Sequence, residues 1–191
     1  MDHQDNIVEQ PVRAKSEVWE WIKALVIAGV LVVIIRTFIF APFIVDGPSM
    51  QPNFYTGERL IVNELIYSIR KPKHGEVIVF HAPEGKDYIK RVIALPGEKV
   101  KVENNKVYVN GVALDEDYVR EAVAEAAQRG EIYNTPDYAE QTVPDGTFFA
   151  MGDNRPQSHD GRAIGPQPFS KIVGRADFIF WPLKQIKLVH Q

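Results

Sequence analysis

The chain of 191 residues carries 22 Lys and Arg against 25 Asp and Glu, a formal net charge of −3, and no cysteine. Its length suits one ordinary domain with appendages, and its charge balance offers no electrostatic footprint for nucleic acid. The lack of cysteine removes disulfides, thiolate-bound metals and a cysteine nucleophile, which leaves Ser, Thr, Lys, His and carboxylates for any chemistry.

Residues 1–18 read as a polar tail. Residues 19–40, WEWIKALVIAGVLVVIIRTFIF, hold an uninterrupted apolar stretch, 24–35, flanked by Lys23 and Arg36. As a helix rising about 1.5 Å per residue, with Lys and Arg snorkelling to the interface, this segment reaches across a hydrocarbon core of roughly 30 Å. Trp19 and Trp21 suit one interfacial belt. A cleavable signal peptide needs an A-x-A-like site downstream, but RTFIFAPFIVDG follows. A surface-lying helix needs a polar face that VIAGVLVVII lacks. A buried helix of a soluble core is the remaining rival. Arg13, Lys15 and Lys23 favour a cytoplasmic N-terminus against Glu9, Glu17 and Glu20. The reading is a single-pass anchor at 19–40 in the lipid bilayer of the plasma membrane, with residues 41–191 on the extracytoplasmic side.

Beyond Pro42 come short alternating or β-branched runs: FIVDG, ERLIVNELIY, GEVIVFHA, YIKRVIALPG, KVKVENNKVYVNG, GTFFAMGD and KIVGRADFIFWP. Turn residues separate them at Lys73-His74-Gly75, Pro96-Gly97, Asn110-Gly111 and Asp145-Gly146. KVKVENNKVYVNG reads as a hairpin with Asn104-Asn105 in its turn, because Asn tolerates positive φ. Residues 117–129, DYVREAVAEAAQR, read as a helix stopped by Gly130, inside an insertion at 112–147. The fold class is mainly β: an N-terminal transmembrane helix, then a mostly antiparallel β domain with a short helical insertion whose role the sequence does not supply.

Three segments carry polar residues out of pattern. Ser49 sits in VDGPSMQPN, a Gly/Pro loop that presents a hydroxyl on a stiffened backbone, though a serine there is ordinarily a turn residue. Lys90 interrupts the apolar run of YIKRVIALPG, where a lysine ordinarily snorkels or faces solvent. MGDNRPQSHDGRAIG packs Asp153, Asn154, Arg155, Ser158, Asp160 and Arg162 between apolar strands, so that two Asp and two Arg can neutralise one another and fix a neighbour. Neither D-x-[DN]-x-[DN]-G nor H-E-x-x-H occurs, and neither metal nor cofactor is expected.

PSMQP around Ser49, YIKRVIALPG around Lys90 and GDNRPQSHDGR, in this order behind an apolar segment, resemble the motifs of type I signal peptidases, and the small size resembles the Gram-positive branch. The resemblance implies a serine endopeptidase with Ser49 as nucleophile and Lys90 as general base. It also implies Ser158 as a hydroxyl beside the lysine amine, and Asp153, Arg91, Asp160 and Arg162 as supporting ion pairs. Gly47 stands where many Gram-negative relatives carry a hydroxyl, and Gly161 where Ser is common. The implied partners are the lipid bilayer and secretory preproteins, cut after Ala-x-Ala-like sites.

Phe43, Val45 and Gly47 fall on alternate positions leading to Ser49, while Tyr88 and Ile89 precede Lys90, so the sequence predicts apolar substrate-binding walls from Phe43, Val45, Tyr88 and Ile89. A histidine-based hydrolase using His159 with Asp160 or Asp153 is the rival enzyme, although G-x-S-x-G is absent. A self-cleaving repressor-type Ser/Lys protease lacks its DNA-binding half here, and a tethered β scaffold without chemistry is the rival outside enzymes.

Overall fold

The structure is a computed structural model that describes residues 14–38 and 40–189, with side chains at 17–33 and 42–189. Residues 1–13 of the expected tail, including Arg13, lie outside the described residues. By internal contacts the chain divides into two units, one up to Thr37 and one from Phe38 onward.

The first unit is helix α1 (Ala14–Phe38). All its described side chains are exposed, among them Trp19, Trp21, Leu25, Val26, Leu31 and Val33. Among the described residues no helix is long and apolar enough to cross a membrane. The described side chains end at Val33, before the apolar stretch 24–35 is complete.

The second unit is built from antiparallel strands. In chain order they are β1 (Phe40–Ile44), β2 (Arg59–Asn63), β3 (Val77–His81), β4 (Asp87–Ala94), β5 (Lys99–Glu103), β6 (Lys106–Val109), β7 (Val112–Ala113), β8 (Tyr138–Thr142), β9 (Thr147–Met151), β10 (Gln167–Pro168), β11 (Ile172–Trp181) and β12 (Lys187–Leu188). The larger sheet runs β1-β2-β11-β3-β4-β9-β10, with β12 beside β11; the smaller runs β7-β6-β5-β8. Every pairing is antiparallel.

Alternation explains which side chains are inside. In β2 only Leu60 and Val62 are buried, and in β5 only Val100 and Val102, as expected for half-covered strands. By contrast β3 and β4 lie in the middle of the larger sheet and are buried on both faces. One face of the larger sheet joins Val77, Val79 and Ile89 to Leu60, Val62 and Ile179. The other joins Ile78, Phe80 and Val92 to Phe148 and Ala150. Lys90 lies opposite Ile78 in the β3/β4 register, in the middle of this doubly covered region.

The hairpin at Asn104-Asn105 forms as its composition implies. Glu103 pairs with Lys106, and the two asparagines take φ of 52° and 62°, the left-handed pair of a type I′ turn. The helix of the insertion begins as a 3₁₀ turn at Asp117–Val119 and continues as a regular helix at Arg120–Gln128. Gly130, at φ +71°, closes it with Gly130 N–H to Ala127 O and Glu131 N–H to Ala126 O, both orphan carbonyls being satisfied.

Three expectations need correction. ERLIVNELIY is not one strand: β2 ends at Asn63, whose Oδ1 accepts the Ile66 N–H at 3.2 Å, and the chain turns into a short helix at Ile66–Ile69. FIVDG is regular strand only as far as Ile44; Val45 still bonds Glu58 O through its N–H and the Gly57 N–H through its carbonyl, but out of register, and the chain then turns. The 112–147 insertion is not only helical, since β7 and β8 lie within it and flank the β5/β6 hairpin.

Candidate active site

The loop after β1 carries Ser49 and is pinned from below. Val45, Met50 and Phe54 are each at most 2% exposed and sit in the same core cluster. Between them a turn closes with Gln51 N–H on Pro48 O at 3.0 Å and Phe54 N–H on Met50 O at 2.9 Å. Gly47 has φ +89°, a conformation that a side chain rarely adopts, so glycine here has a backbone reason. From the other side, the Asn154 N–H donates to Ser49 O at 3.0 Å and Asn154 Nδ2 to Pro48 O at 3.1 Å. Among the described residues the Ser49 N–H has no hydrogen-bond acceptor.

Lys90, on β4, is 3% exposed, and its Nζ lies 2.7 Å from Ser49 Oγ and 3.0 Å from Ile89 O. Burial disfavours the ammonium and pushes the Lys90 pKa down to about 8, against the opposing pull of the Asp160 and Asp153 charges and with slight help from Arg162. At pH 7 about a tenth of such an amine is neutral, against well under a thousandth for an ordinary lysine. His159 is more than half exposed, its Nε2 is 3.2 Å from Glu84 Oε1, and its ring meets Tyr88 edge-on. It faces the same cleft but makes no hydrogen bond to Ser49.

The ion pairs expected around this centre form and are buried. Arg91 grips Asp153 through Nε–Oδ1 at 2.9 Å and a second nitrogen to Oδ2 at 2.7 Å, with both side chains at most 2% exposed. Arg162 grips Asp160 the same way, at 2.9 Å and 2.7 Å. Burial alone would raise the Asp160 pKa, but Arg162 and the Gly152 N–H, at 2.9 Å, hold it below the ordinary carboxylate range. Ser158 Oγ is buried and has no hydrogen-bond partner among the described residues. It favours the Asp160 charge, yet lies too far or too oblique for a hydrogen bond to it. The hydrogen bonds of Lys90 go to Ser49 and Ile89, and the anticipated contact with Ser158 is not among them. Ser158 packs instead at Gly152, where an added Cβ would stand 2.2 Å from Ser158 Oγ and 2.4 Å from Ser49 O, so the loop closes only over a glycine.

Several residues here went unassigned in the sequence. Asn53 Nδ2 donates to Asp153 Oδ2 at 2.8 Å and to Tyr118 O at 2.7 Å. Arg91 also lies against the Tyr118 ring, 4.0 Å from its centroid. Arg155, fully buried, pairs with Glu116 and Asn134, and despite burial Glu116 holds its guanidinium charged. The Tyr133 hydroxyl donates to Asp153 O at 2.7 Å. Arg155 stood out in the third motif; its partners lie in the insertion, where nothing local marks them.

A cleft of about 500 Å³ opens onto Ser49 and Lys90. Phe43, Ile44, Tyr88 and Ile89 form its apolar lining, with Asp46, Lys86 and Asp87 also on its walls. Val45 does not line it: it is 1% exposed in the core cluster that Phe43 also packs against, while Ile44 between them faces the cleft. Among the described residues no cluster of His, Asp and Glu is arranged to hold a metal ion.

Comparison with known proteins gives a consistent picture. The family described as signal peptidase, peptidase S26, matches residues 18–181. Signal peptidase I of Bacillus amyloliquefaciens is 40% identical over 174 residues, which are 91% of this chain and 93% of that protein. Signal peptidase I S of Bacillus subtilis (strain 168) is 39% identical over 177 residues, 92% of this chain and 96% of that protein. The crystal structure of a signal peptidase I from Enterococcus faecalis V583 superposes with a TM-score of 0.51 at 37% identity, covering 56% of this chain and 97% of that one.

Proposed function

Because the chain belongs to the signal peptidase family, peptidase S26, and is a type I signal peptidase, a hydrolase, we propose that it cuts preproteins with Ser49 as nucleophile and Lys90 as general base. The observation that carries this reading is the 2.7 Å approach of Lys90 Nζ to Ser49 Oγ with the lysine buried and its pKa brought down to about 8. The neutral amine takes the Ser49 proton as Oγ attacks the scissile carbonyl, then returns it to the leaving amine, which departs with the mature protein. The ester left on Ser49 is hydrolysed by water activated by the same amine. The Ser49 N–H, free of other acceptors among the described residues, is offered to the oxyanion. Asp153, Arg91, Asp160 and Arg162 hold this arrangement as two buried ion pairs, and Ser158 fills the space over Gly152 beside it.

The sign of the pH dependence follows from the lysine. A base whose pKa is lowered to about 8 gains its active, neutral form as pH rises through 8. Thus kcat/KM should climb about tenfold from pH 6 to 7 and level off above about 9. A steady-state profile on a signal-sequence peptide checks this. A limb that vanished in His159→Ala would hand the base to His159 instead.

Substrate and place follow from the cleft and the apolar segment. Phe43, Tyr88 and Ile89 offer an extended chain a shallow greasy wall, and a strand laid along it presents every second side chain, so residues one and three places before the cut are selected together. Small residues fit, as in Ala-x-Ala sites of secretory preproteins. Residues 19–40 anchor the enzyme in the plasma membrane with residues 41–191 outside; the supports are the apolar run between Lys23 and Arg36 and the exposure of the described apolar side chains of α1. One experiment reads both: the full chain in vesicles with a library of membrane-inserted substrates. The protein should float with the vesicles through an alkaline wash and cut after Ala-x-Ala. Release by the wash removes the anchor, and indifference to the residue three places before the cut removes the proposed pocket.

A further inference from the structure

One peptide plane links the insertion to the nucleophile. The bond between Asp153 and Asn154 carries a carbonyl, Asp153 O, that accepts the Tyr133 hydroxyl at 2.7 Å and the Arg155 N–H at 3.0 Å. The same plane carries the Asn154 N–H, which donates to Ser49 O at 3.0 Å. A peptide unit is rigid, so a tilt at its carbonyl end reappears at its N–H end. A hydrogen bond accepted by the carbonyl also polarises the N–H and strengthens the bond it donates.

Tyr133 is well placed to control that plane. It is 7% exposed and belongs to a small cluster with Val119 and Ala126, so its ring is held by packing. Burial raises the phenol pKa to about 12, which keeps the hydroxyl a donor throughout the working range. Resting on the Ser49/Lys90 reading, we propose that Tyr133 is a positioning residue for the nucleophile: through the Asp153–Asn154 peptide it fixes the Ser49 backbone, and with it the direction of Oγ toward Lys90. The insertion at 112–147 thereby acquires a part in the reaction, although it contributes no group to the cleft.

The test compares three variants in one cleavage assay, each read well below its own unfolding midpoint. Tyr133→Phe keeps the ring and removes only the hydroxyl. It should lower kcat about tenfold, the size of one lost hydrogen bond expressed in the transition state, with KM changed less than about twofold. Its pH limb should stay near that of the parent, because no charge near Lys90 changes. Val123→Ala loosens the same cluster without touching the peptide, and should keep kcat within about twofold. Ser49→Ala should be inactive. A Tyr133→Phe enzyme with unchanged kcat, or a Val123→Ala enzyme with the same loss, overturns the role of Tyr133. Cleavage by Ser49→Ala strikes the serine/lysine reading itself and is seen separately.

Discussion

Cleavage is expected to fall by on the order of 10⁴-fold or more in kcat when Ser49 becomes alanine or Lys90 becomes arginine. Arginine is the sharper test, since it keeps a long cationic side chain but stays protonated and cannot accept the serine proton. Alanine at both positions should be no worse than either alone, because the pair acts as one device. His159→Ala should keep activity within about threefold, for its ring pairs with Glu84 and makes no hydrogen bond to Ser49. Substantial turnover by Lys90→Arg, or a dead His159→Ala enzyme beside an active Lys90→Ala one, removes the dyad.

The same lysine carries a stability consequence. A pKa lowered from 10.5 to about 8, at about 1.4 kcal/mol per pH unit, costs the fold about 3 kcal/mol near neutral pH. Between pH 8 and 10.5 the unfolded chain binds a proton that the native lysine has shed, so stability rises with pH across that window and the full cost stands below about pH 8. A Lys90→Met variant should therefore be inactive in the cleavage assay and no less stable than its parent in urea unfolding at pH 7, because the desolvation cost of the buried amine is gone.

Where side-chain pattern and local backbone need agree, the fold was legible in the sequence. The asparagine pair at 104 and 105 named its hairpin, Gly130 its helix stop, and the β-branched runs of β3, β4 and β11 their strands. Pattern failed where a single side chain decides. The run after Asn63 fits strand or helix equally, and the Asn63 side chain turns it into a helix. Strand β8 is polar and mostly exposed, so no alternation marks it. Val45 was misplaced because the alternate face it shares with Phe43 is the core face, whereas Ile44 between them faces the cleft. For the site, Ser49, Lys90 and the third motif were visible as polar residues out of place. Asn53, Tyr118 and Tyr133 were not, since they reach Asp153 and Arg91 across 20 to 100 residues of chain and look ordinary where they stand.

Breaking the Arg91–Asp153 pair should cost most in stability. Both partners are at most 2% exposed and joined by two hydrogen bonds, so Asp153→Ala leaves a buried guanidinium facing the space its carboxylate filled. Removal of one member of such a pair costs about 3 to 5 kcal/mol. In a domain of this size that lowers the unfolding midpoint by roughly 10 °C. Calorimetry or urea unfolding reads it directly. Replacing both partners together, Arg91→Met with Asp153→Leu, should recover only part of the loss, because no charge is then left buried but the Asn53 amide and Gly75 O lose their partners. A second reading separates support of the fold from support of the chemistry. The Asp153 charge works to raise the Lys90 pKa, so Asp153→Asn, where it folds, should move the activity limb to lower pH than the parent. If Asp153→Ala unfolds within about 1 kcal/mol of the parent and the limb of Asp153→Asn stays at about 8, the pair neither holds the domain nor sets the base. The two measurements together decide whether the buried Asp153 charge acts on Lys90, on the strand held through Arg91, or on both.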